Sequence, residues 1–196
     1  MRGPDARSEP SPEALLECAR SNPINRALLD RLPSLDLPQC YLVAGCVFQA
    51  VWNTLSGRPT DAGVRDYDVF YFDESDLSWE AEDRVIRRAA ELCRDLDATI
   101  EVRNQARVHL WFNDRFGEHC PQLGSSRESI GGFLIPSTCV GIEAGSNEVH
   151  APYGLEELWR GVLRINPVRP QPKLFLAKAQ SYRERWPWLT VVGPDI

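Results

Sequence analysis

Residues 65 to 72, RDYDVFYF, alternate aromatic and β-branched side chains with two aspartates. Such a run suits a pleated, largely covered surface and predicts a strand. Side chains alternate faces along a strand, which puts Asp66 and Asp68 on the same one. At the usual rise their Cα atoms lie about 6 to 7 Å apart. Two carboxylates so placed repel each other unless a cation sits between them, and ionised groups beside a buried strand need a partner. Magnesium suits such oxygen ligands, because it keeps several waters and completes its shell from a phosphate. Two plainer readings stand beside this one: Arg65 can supply a salt bridge, and a D-x-D at a strand start also occurs as a solvent-facing feature.

Upstream, CYLVAG (40 to 45) is a short apolar run closed by Gly45, consistent with a buried strand. From Cys46 onward, Val47, Val51 and Leu55 fall at helical spacing, with Phe48 and Trp52 beside them and Gly57 as the stop. A strand that runs through Gly directly into a helix presents free backbone N–H groups and a positive dipole end, which suits a phosphate. The same turn is equally a packing device. Downstream, Ser78 reads as the N-cap of a long helix with Glu80, Glu82 and Asp83 favourable in its first turn. Its inner face would be Val85, Ile86, Ala89, Ala90 and Cys93. ATIEVR (98 to 103) reads as another strand, in which Glu101 interrupts an apolar run. If that strand neighbours the first, Glu101 completes a three-carboxylate cluster able to hold a second ion or accept a proton.

The flanks are helical. Residues 1 to 10 read as a flexible tail, and residues 11 to 196 as one domain. Within it, 11 to 36 form an N-terminal helical pair in which Ser11-Pro12 and Asn22-Pro23 each serve as N-cap and first helical position. Residues 38 to 104 form the core and 105 to 196 a C-terminal extension. In the extension, residues 104 to 117 read as helical, with a strand and loop as the alternative. STCVGIEA and EVHAP pair as a hairpin across residues 145 to 147, Gly131-Gly132 read as a helix start and Ser125-Ser126 as a soft loop. Two helices close the chain, LEELWRGVLR and KLFLAKAQSYRERW.

Composition narrows the partners. Twenty-two basic against 28 acidic side chains leave a net charge of −6, which disfavours a surface that grips long nucleic acid. The longest apolar stretch, residues 41 to 52, is too short to span a bilayer, so no membrane partner is expected. The first residues lack a signal-like apolar core, which makes the cytoplasm the default. Cys18, Cys40, Cys46, Cys93, Cys120 and Cys139 form no C-x-x-C pair, and with His109, His119 and His150 they frame no zinc spacing. They read as reduced structural thiols. Arg103, Asn104, Gln105, Arg107 and His109 either contact phosphate, base or acceptor, or cap a turn and balance nearby acids; His109 reads as a packing histidine. The aromatics Trp111, Phe112, Tyr153, Trp159, Trp186 and Trp188 read as core before they read as base-stacking platforms. Arg160, Arg164, Arg169, Lys173, Lys178, Arg183 and Arg185 are the one concentrated positive region, read as a solvated helix face with an anionic acceptor as the alternative.

The order strand, Gly turn, helix, loop, D-x-D strand, helix, acidic strand resembles the nucleotidyltransferase superfamily typified by DNA polymerase beta. More narrowly, AGCVFQAVWNTLSG, RDYDVFYFD, IEVRNQARVHLWFNDRFG, EVHAPYGLEELWRGVLRINP and RWPWL are similar to a bacterial nucleotidyltransferase-like family whose members are mostly uncharacterised. The likeness spans about residues 40 to 190. Cys46 stands where the superfamily has Gly or Ser, and the gap from there to Asp66 is longer than usual, while all three acidic positions are filled. The resemblance implies an α/β (α+β) fold, a small mixed sheet flanked by helices. It implies a magnesium-dependent transfer of a nucleoside monophosphate from an NTP to a hydroxyl acceptor, which could be a small molecule, an RNA end or a protein. Asp66, Asp68 and Glu101 would be the catalytic and metal-binding residues, with one or two Mg2+ ions, and Gly45, Cys46, Arg103 and Asn104 would bind nucleotide. Two other classes stand beside it: a non-catalytic nucleotide- or partner-binding module that keeps the fold, and a regulatory, toxin-like or antitoxin-like partner.

Overall fold

A computed structural model describes residues 9–116 and 121–193 of the chain. His119, Cys120 and residues 1 to 8 of the expected tail lie outside the described residues.

The N-terminal pair forms as its caps dictate. In α1 (Pro12–Ser21) the Ala14 N–H donates to Ser11 Oγ at 3.1 Å, and in α2 (Pro23–Arg31) the Ile24 and Asn25 N–H groups donate to Asn22 Oδ1. Each proline sits at the first turn, where its missing N–H leaves no bond unmade. A 3-10 turn over Leu32–Leu35 leads to β1 (Tyr41–Val43), which runs through Ala44 into α3 (Gly45–Leu55).

The central sheet adds β2 (Tyr67–Tyr71), β3 (Ile100–Asn104), β4 (Gly141–Glu143) and β5 (Val149–His150), in the order β3-β2-β1-β4-β5. The β2–β3 pair is parallel and the other three pairs are antiparallel, so the sheet is mixed. The crossover between the parallel strands carries α4 (Trp79–Leu92), capped by Ser78 Oγ on the Ala81 N–H. One face of the sheet, with Leu42, Tyr67, Val69, Tyr71 and Val102, closes the main core with α1, α2, α3 and α4. The other face carries Tyr41, Val43 and Phe70, packed with Ile130, Phe133 and Cys139. Here lies α6 (Ser126–Gly131), which follows α5 (Val108–Phe116).

The chain closes with α7 (Glu156–Arg160), α8 (Pro172–Arg185) and a two-stranded parallel sheet of β6 (Val162–Leu163) and β7 (Thr190–Val191). Three local expectations are corrected here. LEELWRGVLR is not one helix, because Gly161 at φ +64° ends α7 and releases Val162 and Leu163 to pair as a strand. Gly131-Gly132 do not start a helix but end α6, whose N-cap is Ser125, its Oγ accepting from the Glu128 N–H. Ala90 faces solvent, whereas Ala89 and Cys93 turn inward. Residues 105 to 116 are helical as expected, a 3-10 turn (Gln105–Arg107) and then α5.

Glu82, expected only to favour the α4 dipole, is buried and ion-paired with the equally buried Arg107. Its carboxylate also accepts the Asn104 N–H at 2.8 Å, and Arg107 Nε donates to the Leu77 carbonyl at 2.8 Å. These bonds tie the start of α4 to the end of β3. Removing one partner strands the other charge, so Glu82→Ala should lower stability by about 3–5 kcal/mol in urea unfolding. The double variant Glu82→Leu/Arg107→Met should lose markedly less than the sum of the two single losses.

Cys18, Cys40, Cys46, Cys93 and Cys139 are buried free thiols. Burial pushes Cys40 and Cys139 up to about 12, whereas an unfolded thiol ionises near 8.5. Above about pH 8.5 the unfolded chain therefore loses protons that the folded chain keeps. The stabilisation from the neutral thiols is complete below that pH and is lost on the way to about 12, by at most about 1.4 kcal/mol per thiol per pH unit. Urea unfolding at pH 8, 9 and 10 should show this decline, and Cys40→Ala/Cys139→Ala should flatten it.

Candidate active site

The pairing of β1 with β2 sets Val43 opposite Asp68, so this aspartate lies beside the point where the chain leaves β1 for α3. Asp66 is placed just ahead of β2 rather than in it. Both carboxylates nevertheless line one cavity of about 860 Å³, together with Ala44, Gly45, Gln49 and Phe70. That size falls in the range of small-molecule sites, roughly 300–1,000 Å³.

The turn between β1 and α3 is strained. Ala44 has φ 58° and ψ −138°, a region that nearly always holds glycine. Its carbonyl accepts the Val47 and Phe48 N–H groups at 3.1 and 3.2 Å. By helix geometry the Gly45 and Cys46 N–H groups are then left to an acceptor outside α3. A Cβ on Gly45 would stand 2.6 Å from Gln49 Nε2, so glycine there lets the Gln49 amide lie over the turn. Cys46 itself does not line the cavity. Its thiol points into the core and donates to the Val43 carbonyl at 3.1 Å. Burial, reinforced by the charge of Asp68, pushes it far above the usual thiol range.

Asp68 is pushed up to about 7, first by burial and then by the charges of Asp66 and Glu101; Lys178 and Arg103 pull the other way. The carboxylate is thus electrostatically incomplete in the bare protein. Glu101 sits in register beside Asp68 on β3. Its side chain is half exposed, 3.5 Å from Arg103 Nη2. Among the described residues no three His, Cys, Asp or Glu side chains are gathered closely enough to hold an ion. Asp66 and Asp68 share the cavity, whereas Glu101 does not line it, so the expected three-carboxylate cluster is not assembled among the described residues.

Arg103 and Asn104 do not line the cavity. Arg103 Nη1 donates to the Val102 carbonyl, and buried Asn104 clasps Asp73, its Oδ1 accepting the Asp73 N–H while its Nδ2 donates to the Asp73 carbonyl at 2.7 Å. Gln105 Oε1 accepts from Ser129 Oγ at 2.7 Å. His109 differs from a satisfied packing histidine, since its buried Nδ1 has no hydrogen-bond partner among the described residues. Of the aromatics, Trp186 is core, Trp188 and Tyr153 are exposed and Phe112 lines the cavity.

The opposite wall comes from α8, and the solvated-face reading of its basic residues holds only in part. Phe175, Ala179, Tyr182 and Trp186 bury against the body of the protein. The adjacent row, Leu174, Lys178, Ser181 and Arg185, faces the cavity. Burial lowers Arg185 below the usual guanidinium range. Lys173 and Arg183 face solvent, and Lys178 is exposed as well as lining the cavity, whereas Arg185 is half-buried. The i, i+4, i+7, i+11 spacing of that row was readable in the sequence, but nothing there said which element it would face.

A family model described as nucleotidyltransferase matches residues 30–191. The chain belongs to this nucleotidyltransferase family. A solved structure described as revealing a CCA-adding enzyme head domain by NMR is similar in fold, with a TM-score of 0.74 and 23% identity over 96% of this chain and 100% of the other. No curated protein matches. This member of the family has a strand–turn–helix at Gly45, with Asp66 and Asp68 in the cavity beside it. Among its described residues no helix is long and apolar enough to cross a membrane.

The strain at Ala44 has a direct test. Glycine adopts that conformation freely, so Ala44→Gly should raise stability by about 1 kcal/mol, the strain released less the extra entropy of the unfolded glycine. Ala44→Val should lower it, and thermal melts of the two variants should fall on opposite sides of the parent.

Proposed function

We propose that this chain transfers a nucleoside monophosphate from an NTP to a hydroxyl acceptor, with magnesium held by Asp66 and Asp68. One observation carries the reading: Asp66 and Asp68 open onto the same cavity as the N–H end of α3. The donor set fits the ion. Magnesium typically takes one or two protein carboxylates and fills the rest of its octahedron with water and phosphate, so a closed cage of protein ligands is not required. A cation there also relieves the crowding that raises Asp68. When bound, the ion would neutralise charge building on the phosphates and on the departing oxygen.

The residues of the chain supply the rest. The Gly45 and Cys46 N–H groups hold a phosphate oxygen at the start of α3. Asp66 and Asp68, which would repel a triphosphate on their own, would hold the ion that offsets its charge. The acceptor oxygen forms a bond to the α-phosphorus as the bond to the bridging oxygen breaks, and that electron pair leaves on pyrophosphate. The acceptor's proton goes to a carboxylate, for which Glu101 stands in register beside Asp68. Such a site works by positioning and by stabilising charge, so the loss of one carboxylate harms turnover more than folding. The acidic chain favours a small hydroxylated molecule or a protein as acceptor over long nucleic acid. The buried free thiols fit a cytoplasmic, reducing setting.

Titration calorimetry with ATP, CTP, GTP and UTP, with and without magnesium, tests this. At least one nucleotide should bind in a magnesium-dependent way, and Asp66→Asn/Asp68→Asn should weaken it at least tenfold while melting near the parent temperature. A folded parent that binds none of the four would overturn the transferase reading in favour of a non-catalytic module.

A further inference from the structure

The cavity is lined by Asp66 and Asp68, with Arg65 beside them, on one side and by Lys178, Glu184 and Arg185 of α8 on the other, and neither aspartate forms an ion pair with Lys178 or Arg185 among the described residues. Asp66 and Asp68 stand on the β2 side. Lys178 and Arg185 stand on the α8 side, and neither forms an ion pair among the described residues. A half-buried guanidinium is normally matched by a carboxylate. Arg185 is instead held by rings and an amide. Its guanidinium carbon lies 4.6 Å from the Trp186 ring centroid and 5.3 Å from that of Tyr182, and Nη1 donates to Gln49 Oε1 at 3.3 Å. Lys178 Nζ lies 5.8 Å from the centroid of the same Tyr182 ring. These contacts orient the cations without cancelling their charge.

Gln49 joins this arrangement to the turn. Its Nε2 lies 2.6 Å from where a Cβ on residue 45 would be, and its Oε1 accepts a hydrogen bond from Arg185 Nη1. One buried amide therefore spans from the N-terminus of α3 to the guanidinium on α8. We propose that Lys178 and Arg185 form an anion arm for the polyphosphate tail of the nucleotide, with Gln49 as the residue that positions Arg185. The assignment of the anion to a nucleotide rests on the transferase reading; the arm itself rests on the geometry of α8 and α3. Held there, the tail lies between the helix N-terminus and the two cations. The arm then also receives the negative charge that collects on pyrophosphate when the bond to the α-phosphorus breaks.

The probe is inorganic tripolyphosphate, titrated calorimetrically in EDTA so that the carboxylates have no ion to offer. The parent should bind it. Lys178→Gln/Arg185→Gln should bind at least tenfold more weakly, with a shallower dependence of log Kd on log salt because two charges are gone. Arg185→Lys should recover part of the loss. Asp66→Asn/Asp68→Asn should bind more tightly than the parent, since two repelling charges are removed. Gln49→Met should weaken binding about threefold or more without changing the salt slope. Gln49→Glu should weaken it further, by neutralising the arginine. Melting temperatures near the parent's keep these comparisons on folded protein.

A folded parent that ignores tripolyphosphate overturns the proposal, as does a Lys178→Gln/Arg185→Gln variant that binds like the parent. If magnesium–NTP binding then still needs Asp66 and Asp68, the transferase reading stands alone. If tripolyphosphate binding needs Lys178 and Arg185 while no NTP binds, the arm stands and the transferase reading falls.

Discussion

The site depends on the register between two short strands. Val43 pairs with Asp68, and the next residues after Val43 turn into α3. Side chains have a period of two along a strand, so a slip of one residue would turn Asp68 into the core and bring Tyr67 or Val69 to the cavity. The burial of Tyr67, Val69 and Tyr71 on the far face forbids that slip. The hydrophobic core thus holds the aspartates at the turn. The strained φ of Ala44 belongs to the same constraint, since the chain must leave β1 sharply to bring the end of α3 beside Asp68.

The second wall is held by aromatic packing. Phe48 and Trp52 of α3 meet Tyr182 of α8 and Trp186 at its C-cap with ring centroids 5.2 to 5.5 Å apart. Polar atoms fix the angle: Trp186 Nε1 donates to Asn53 Oδ1 at 3.0 Å, and Trp52 Nε1 to the Leu158 carbonyl at 3.0 Å. Aromatic pairs with satisfied N–H groups resist sliding more than aliphatic contacts do, because both ring geometry and donor direction must be kept. Lys178 and Arg185 are therefore carried on a helix whose rotation about its own axis is set from within the core.

Much of this was legible from the chain alone. The prolines and caps of α1 and α2, the β1–turn–α3 unit, the β2 alternation and the α4 cap are local signals, and local chemistry decides them. Failures came where distant segments decide. Glu82 looks like any acidic first-turn residue until Arg107, in a different element, reaches it. Asn104 has the composition of a ligand-binding amide, yet Asp73 uses its side chain. Arg185 and Lys178 read as a solvated helix face, with an anionic acceptor only as the alternative, because only the docking of α8 on α3 reveals what they face. Gly161 was legible as a glycine but not as a stop, since the strand it frees has no partner until β7 arrives.

The distance along the chain between the two walls has a consequence for how the site comes into being. Synthesis delivers Gly45, Asp66 and Asp68 early, whereas Lys178 and Arg185 lie on the last helix of the described chain. A nascent polypeptide halted before α8 emerges has its aspartates and its turn, but Phe48 and Trp52 lack the rings that cover them. Domains generally fold as units during translation. In this one, the event that shields the aromatic surface of α3 from the ribosomal surroundings is the same event that closes the pocket.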